Sequence, residues 1–166
     1  MLERMSEVFD SPTDWVARHV RRYVESDGAE GHSYNGWPTL LLTVRGRRSG
    51  KLRRTALIYG RDADRYLLVA SNGGAREHPE WYRNLLADPD VGIQVGRDHF
   101  VARAHTADAL EAARLWPVMA AIFPLYEKYR AATDREIPLV ILEDARAVQG
   151  MDTLPFAALV RDRKQE

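Results

Sequence analysis

A chain of 166 residues that is 45% hydrophobic and 29% charged has the size and composition of one soluble globular domain with a single apolar core. Its 24 Lys and Arg are matched by 24 Asp and Glu, which argues against the broad cationic face of a general nucleic-acid binder, and the absence of cysteine excludes disulfides, thiolate metal sites and cysteine nucleophiles. The longest apolar runs, such as "IPLVIL", are too short to span a bilayer and the charged opening "MLERMSEVFD" is no signal peptide, so a cytoplasmic location is expected.

In chain order, the first predicted element is a helix over residues 13 to 26. Val16, Val20, Tyr23 and Val24 recur at helical spacing, Asp14 sits near the start and Gly28 follows the end. Its other face carries Arg18, Arg21 and Arg22. Such a face is either simply solvated or suited to peripheral contact with an anionic membrane surface. The segment "EGHSYNGWP" reads as a loop. From Thr39 to Thr106 come five short β-rich runs, "TLLLTV", "RTALIYG", "RYLLVAS", "VGIQVG" and "HFVARAHT". Hairpin-length gaps between them predict an antiparallel sheet that closes or nearly closes. A helix interrupts them at "HPEWYRNLLADP", with Pro79 in its first turn and Trp81 and Leu85 four apart. The segment "ADALEAARLWPVMAAIFPLYEKYRAATD" predicts two helical pieces bent near Pro117 and Pro124, and "IPLVILE" a sixth strand. The expected fold is α+β or mainly β, with about six antiparallel strands and flanking helices. It divides into an N-terminal helix and loop (1–36), the barrel (37–150) and a C-terminal tail (151–166).

Three stretches carry candidate chemistry. Between Arg45 and Arg54 the chain places six cations (Arg45, Arg47, Arg48, Lys51, Arg53 and Arg54) without one acid. The turn "GRRSG" has glycines that can take positive φ, so the amides of Arg47 to Lys51 can converge on an anion. Ser49 adds a hydroxyl, and Arg47, Arg48 and Arg53 add planar forks suited to phosphate or carboxylate. A solvent-exposed charged hairpin tip is the plain alternative. RNA binding is disfavoured because no aromatic residue interrupts the basic run. The second stretch, "VASNGGAREHPEWYRNL", combines a glycine turn that lets a ligand approach the backbone with a helix N-terminus and the aromatic pair Trp81 and Tyr82. The third, "FPLYEKYR", sets Phe123, Tyr126 and Tyr129 three apart. Such a stripe is usually core, but a tyrosine can also donate to a substrate oxygen that develops negative charge.

Other chemistries lack their signatures. The five histidines show no HxxxH or HExxH spacing, and no GxGxxG, GxxxxGK[ST] or GxSxG occurs, so no metal site is expected. Taken in order, "LLLTVRGRRSGKLRRTALIY", "YLLVASNGGAREHPEWYRNLLADPDVGIQVG" and "PLYEKYRAATDREIPLVILE" resemble the deazaflavin-dependent nitroreductase and quinone reductase family, split β-barrel, FMN-binding-like proteins that use coenzyme F420. The likeness covers roughly residues 37 to 143, with a weaker counterpart of the first helix.

The resemblance implies a cofactor phosphate at Arg47, Arg48, Ser49, Gly50 and Arg53. It implies the deazaflavin ring at Ala70, Ser71 and Asn72, its linker beside Trp81, Tyr82 and Asn84, and Tyr126 and Tyr129 on the substrate side as catalytic residues. Two departures stand out: Ile58 and Phe123 occupy positions where nitroreductase members carry tyrosine, and each change deletes a hydroxyl at the acceptor pocket. Tyr59 points to the opposite face of its strand and cannot replace Ile58. The expected activity is hydride transfer from reduced coenzyme F420 to a quinone or another activated conjugated acceptor. An FMN-dependent oxidoreductase on the same barrel and a non-catalytic deazaflavin carrier are the rival readings. Split barrels of this type often dimerise, so a homodimer is also within expectation.

Overall fold

The computed structural model describes residues 8–11 and 13–148; the predicted tail at 151–166 lies outside them. Along the chain run β1 (Val8–Asp10), α1 (Asp14–Glu25), β2 (Ser33–Tyr34), β3 (Trp37–Arg45), β4 (Leu52–Ile58), β5 (Gly60–Asp62), β6 (Arg65–Val69), α2 (Glu80–Ala87), β7 (Asp90–Val95), β8 (Asp98–Thr106), α3 (Ala109–Ile122), α4 (Leu125–Ala132) and β9 (Leu139–Ala147).

The strands form one sheet in the order β1-β4-β3-β7-β8-β9-β6-β5, with β2 added on β3. Every pairing is antiparallel except the parallel contact of β1 with β4. The run from β4 round to β5 starts and ends on one continuous stretch of chain, because only Tyr59 separates those two strands. At Tyr59 the backbone leaves its partner β3 and takes up β6, and the ladder stays open there. This is the expected split barrel of mixed α+β class.

Period-two alternation decides what each face buries. Leu40, Leu42 and Val44 of β3, Tyr66 and Leu68 of β6, Val91 and Ile93 of β7, and Val140 and Leu142 of β9 meet in one interior cluster. The alternate residues face helices. Leu67, Val69, Leu139 and Ile141 pack against Leu115, Trp116, Met119 and Tyr126, while Leu41 packs against Val20 and Tyr23 of α1. Strands covered on both sides need apolar residues at consecutive positions, which accounts for the runs "LLL", "LLV" and "LVIL".

The differences from expectation have local causes. "RTALIYG" is two strands rather than one, since the chain changes partner at Tyr59. The very short β1 and β2 carry no pattern long enough to read. α3 runs through Pro117 without ending there; the missing donor affects the carbonyl of exposed Ala113, which water can reach, so the break falls at Phe123 and Pro124 instead. Among the described residues no helix is long and apolar enough to cross a membrane.

Candidate functional site

The cationic turn joins β3 to β4. Gly46 N–H donates to the Lys51 carbonyl at 2.7 Å and Gly50 N–H to the Gly46 carbonyl at 2.9 Å, with Gly50 at φ 73°. Buried Arg45 braces this turn from below, donating Nη1 to the Gly50 carbonyl at 2.6 Å. Tertiary neighbours then separate the six cations into two groups. Arg45 faces Asp88 at 3.9 Å, Arg47 pairs with Glu80 at 2.7 Å, and Arg54 pairs with Asp10 at 2.7 Å. Arg48, Lys51 and Arg53 have no ion pair among the described residues, and Lys51 and Arg53 lie over the ring of Phe9.

The amides divide in the same way. Arg47 N–H donates to Oδ1 of Asn84 at 3.1 Å and Lys51 N–H to Oγ of Ser49 at 3.2 Å, so with Gly50 three of the five expected donors are already used. Only the Arg48 and Ser49 amides stay unpaired among the described residues, and the anion concavity is narrower than its sequence implies. Asn84 is buried and also accepts from Nη1 of Arg47 at 2.9 Å, so it supports the turn from α2. Arg47 holds the Glu80 carboxyl below its ordinary pKa.

Above this turn opens a cleft of about 650 Å³. It gathers Arg47, Arg48, Ser49, Arg53, Asn72, Trp81 and Asn84 from three separate segments. Gly50, Ala70, Ser71, Tyr82, Tyr126 and Tyr129 do not line it. Tyr82 belongs to the barrel interior, with its hydroxyl 2.8 Å from Oγ1 of Thr106, and Ala70 and Ser71 are buried where β6 ends.

Beyond Ser71 the backbone turns sharply through positive φ at Asn72 (48°), Gly73 (64°) and Gly74 (79°). A Cβ on Gly74 would lie 3.1 Å from the main-chain oxygen of Tyr129, so this turn rests directly on α4. Arg135, from the loop before β9, fastens it: Nη2 donates to the Ser71 carbonyl and Nε to the Ala75 carbonyl, each at 2.7 Å. No sequence signal marks Arg135, because the turn it fastens lies 60 or more residues away.

On α4, Tyr126 is 5% exposed and packs with Phe123 at 4.9 Å between ring centroids, while Phe123 also meets Trp37 at 4.8 Å. Ile58 and Tyr129 join the same cluster, so the two departures Ile58 and Phe123 fall beside the two tyrosines. Burial, then Tyr129, raises the pKa of Tyr126, which therefore stays a neutral donor. Its hydroxyl has no hydrogen-bond partner among the described residues. Tyr59, between β4 and β5, faces the barrel interior on the side opposite Ile58, 3.1 Å from Nε2 of His32.

The family model for F420H(2)-dependent quinone reductases matches residues 15–144, from α1 into β9. The chain belongs to this family. An F420H(2)-dependent quinone reductase of Mycobacterium tuberculosis is 38% identical over 141 residues, covering 77% of this chain and 95% of that protein. A solved structure of an F420-H2 dependent reductase is 36% identical, covers 64% of this chain and 94% of the other, and has a TM-score of 0.60. A second, described as a domain-swapped dimer, is 35% identical, covers 80% and 100%, and has a TM-score of 0.63. Membership in the F420H(2)-dependent quinone reductase family makes the protein an F420-dependent reductase, with coenzyme F420 as cofactor.

The cleft's donor set suits that cofactor. Its acids, Asp10, Glu77 and Glu80, are each turned to an arginine: Arg54, Arg83 and Arg47. Among the described residues Arg48 and Arg53 are thereby left without an acid and can serve a phosphate or carboxylate, and Trp81 lines the same cleft.

Proposed function

We propose that this reductase passes a hydride from reduced coenzyme F420, with a proton, to a quinone or a related conjugated carbonyl acceptor. The observation that carries this reading is the pair Arg48 and Arg53, which among the described residues have no ion pair and face a cleft whose other acids and arginines are matched. Bound there, the cofactor supplies the hydride; the remaining work belongs to the protein.

Arg48, Arg53 and the hydroxyl of Ser49 bind the anionic tail, while Arg47 and Asn84 hold the turn in shape and Gly50 allows its positive φ. Trp81 offers a flat surface to the linker, supported from behind by Tyr82. Ala70, Ser71 and Asn72 form the backbone wall for the ring, with the first two acting through the main chain they fix rather than by lining the cleft. Tyr126 donates a hydrogen bond to the acceptor oxygen as negative charge develops, and Tyr129 closes the same side. Ile58 and Phe123 keep the surroundings of these two tyrosines apolar, which favours a flat quinone over a nitro compound that needs additional donors. A homodimer like the domain-swapped relative is part of the proposal and is read by multi-angle light scattering.

Titration of the protein with oxidised coenzyme F420 and with FMN at equal salt is the first test, and selective deazaflavin binding is expected. Tighter FMN binding would favour the flavin enzyme. Binding without oxidation of the reduced cofactor by a quinone would leave a carrier. Arg48→Glu is expected to weaken coenzyme F420 binding by about 10- to 100-fold, more at low salt than at high salt; an unchanged affinity removes the turn from the site.

A further inference from the structure

His78 lines the cleft although neither motif nor charge pattern points to it. Its Nδ1 lies 3.0 Å from Nη1 of Arg135. A guanidinium has donors and no acceptor, so Nδ1 must accept, and the ring must be the neutral tautomer that carries its proton on Nε2. Tyr82 packs against the ring in a T-shaped contact, at 4.9 Å between centroids. Arg135 is itself immobilised by the carbonyls of Ser71 and Ala75, so the tautomer is set by a rigid group. Burial first, then the charges of Arg135 and Arg83, hold the imidazole below its ordinary pKa and keep it neutral. Nε2–H has no partner among the described residues.

We propose that His78 is a ligand-binding residue of this cleft, donating Nε2–H to an acceptor oxygen or nitrogen of the bound cofactor, and that Arg135 is the positioning residue that fixes the donating tautomer. The inference rests on the cofactor assignment made above. A neutral donor contributes direction where Arg48 and Arg53 contribute charge, so its share of the affinity is nearly independent of salt.

Two measurements on the full chain test this. Long-range ¹H–¹⁵N correlation spectra of the ligand-free protein should show His78 protonated at Nε2 alone, with the two tautomers mixing in Arg135→Gln. A protonated or Nδ1–H ring in the wild type would overturn the proposal. In titrations with oxidised coenzyme F420, His78→Phe should weaken binding by about tenfold at every salt concentration, and His78→Gln, whose amide can donate from the Nε2 position, should recover most of that loss. Wild-type binding that His78→Phe leaves unchanged would overturn this inference alone. If the wild type bound no coenzyme F420, the cofactor assignment would fall and the ligand contact with it, while the spectra would still decide the role of Arg135.

Discussion

Asp62 accepts hydrogen bonds from both Arg65 and Arg114, and these guanidinium groups also reach Glu111 and Glu143, so five charged side chains bind the β5–β6 hairpin to α3 and β9. Hydrogen bonding by Arg114 and then Arg65 lowers the Asp62 pKa from 3.8 to about 2. Because the folded value lies below the unfolded one, the contribution is complete above roughly pH 4 and is lost as the pH falls towards about 2. Asp62→Asn should therefore flatten the acid limb of a plot of melting temperature against pH; an identical limb would show that this carboxylate contributes no pH-dependent stability. On the proposed mechanism, Tyr126→Phe deletes the donor to the acceptor without changing the packing of the ring. It is expected to lower kcat about 10- to 100-fold while leaving cofactor affinity near the wild-type value, and equal turnover would remove the hydroxyl from the mechanism. The residue types at both places are plain in the sequence. The division of "RGRRSGKLRR" into paired and unpaired cations is not, since the partners Asp10, Glu80 and Asp88 come from other elements.

α1 reads clearly from its periodicity, but the buried hydroxyl that joins apolar packing in attaching it to the barrel does not. Tyr23 is fully buried; its oxygen accepts Gly96 N–H at 2.6 Å and lies 3.1 Å from the Thr39 carbonyl and 3.2 Å from that of Gln94. Burial dominates over the opposing Gly96 bond and raises its pKa to about 12. Tyr23→Phe would leave the Gly96 amide without that partner and should cost about 1–3 kcal/mol in urea unfolding; a variant as stable as the wild type would show that water replaces the hydroxyl. The glycine turn after β6 is bound to α4 in a different way. Gly74 combines positive φ with contact against the main chain of Tyr129, so Gly74→Ala should destabilise the protein by about 1–3 kcal/mol. Helix and turn alike are announced by spacing and by glycine; the surfaces they dock on are not.

Over the whole molecule, the pairing path from β4 round to β5 returns to the same piece of chain, and the bend at Tyr59 and Gly60 is where the barrel stays split. Gly60 sits against Met119 of α3, which is fully buried, with no room for a Cβ. Gly60→Ala is expected to cost about 1–3 kcal/mol and to loosen α3 together with the bend, seen as faster amide exchange in both; protection unchanged in α3 would separate the two. By itself the sequence determined the class of fold, most strand and helix positions and the residues of the cationic turn, because hydrophobic period, turn chemistry and local charge are properties of neighbours in the chain. Only the tertiary structure decided that the fourth and fifth strands part at Tyr59, that Arg48 and Arg53 have no ion pair among the described residues while Arg47 and Arg54 do, and that Arg135 reaches His78. Those outcomes depend on which distant groups pack within hydrogen-bonding distance, and spacing along one chain carries no record of that.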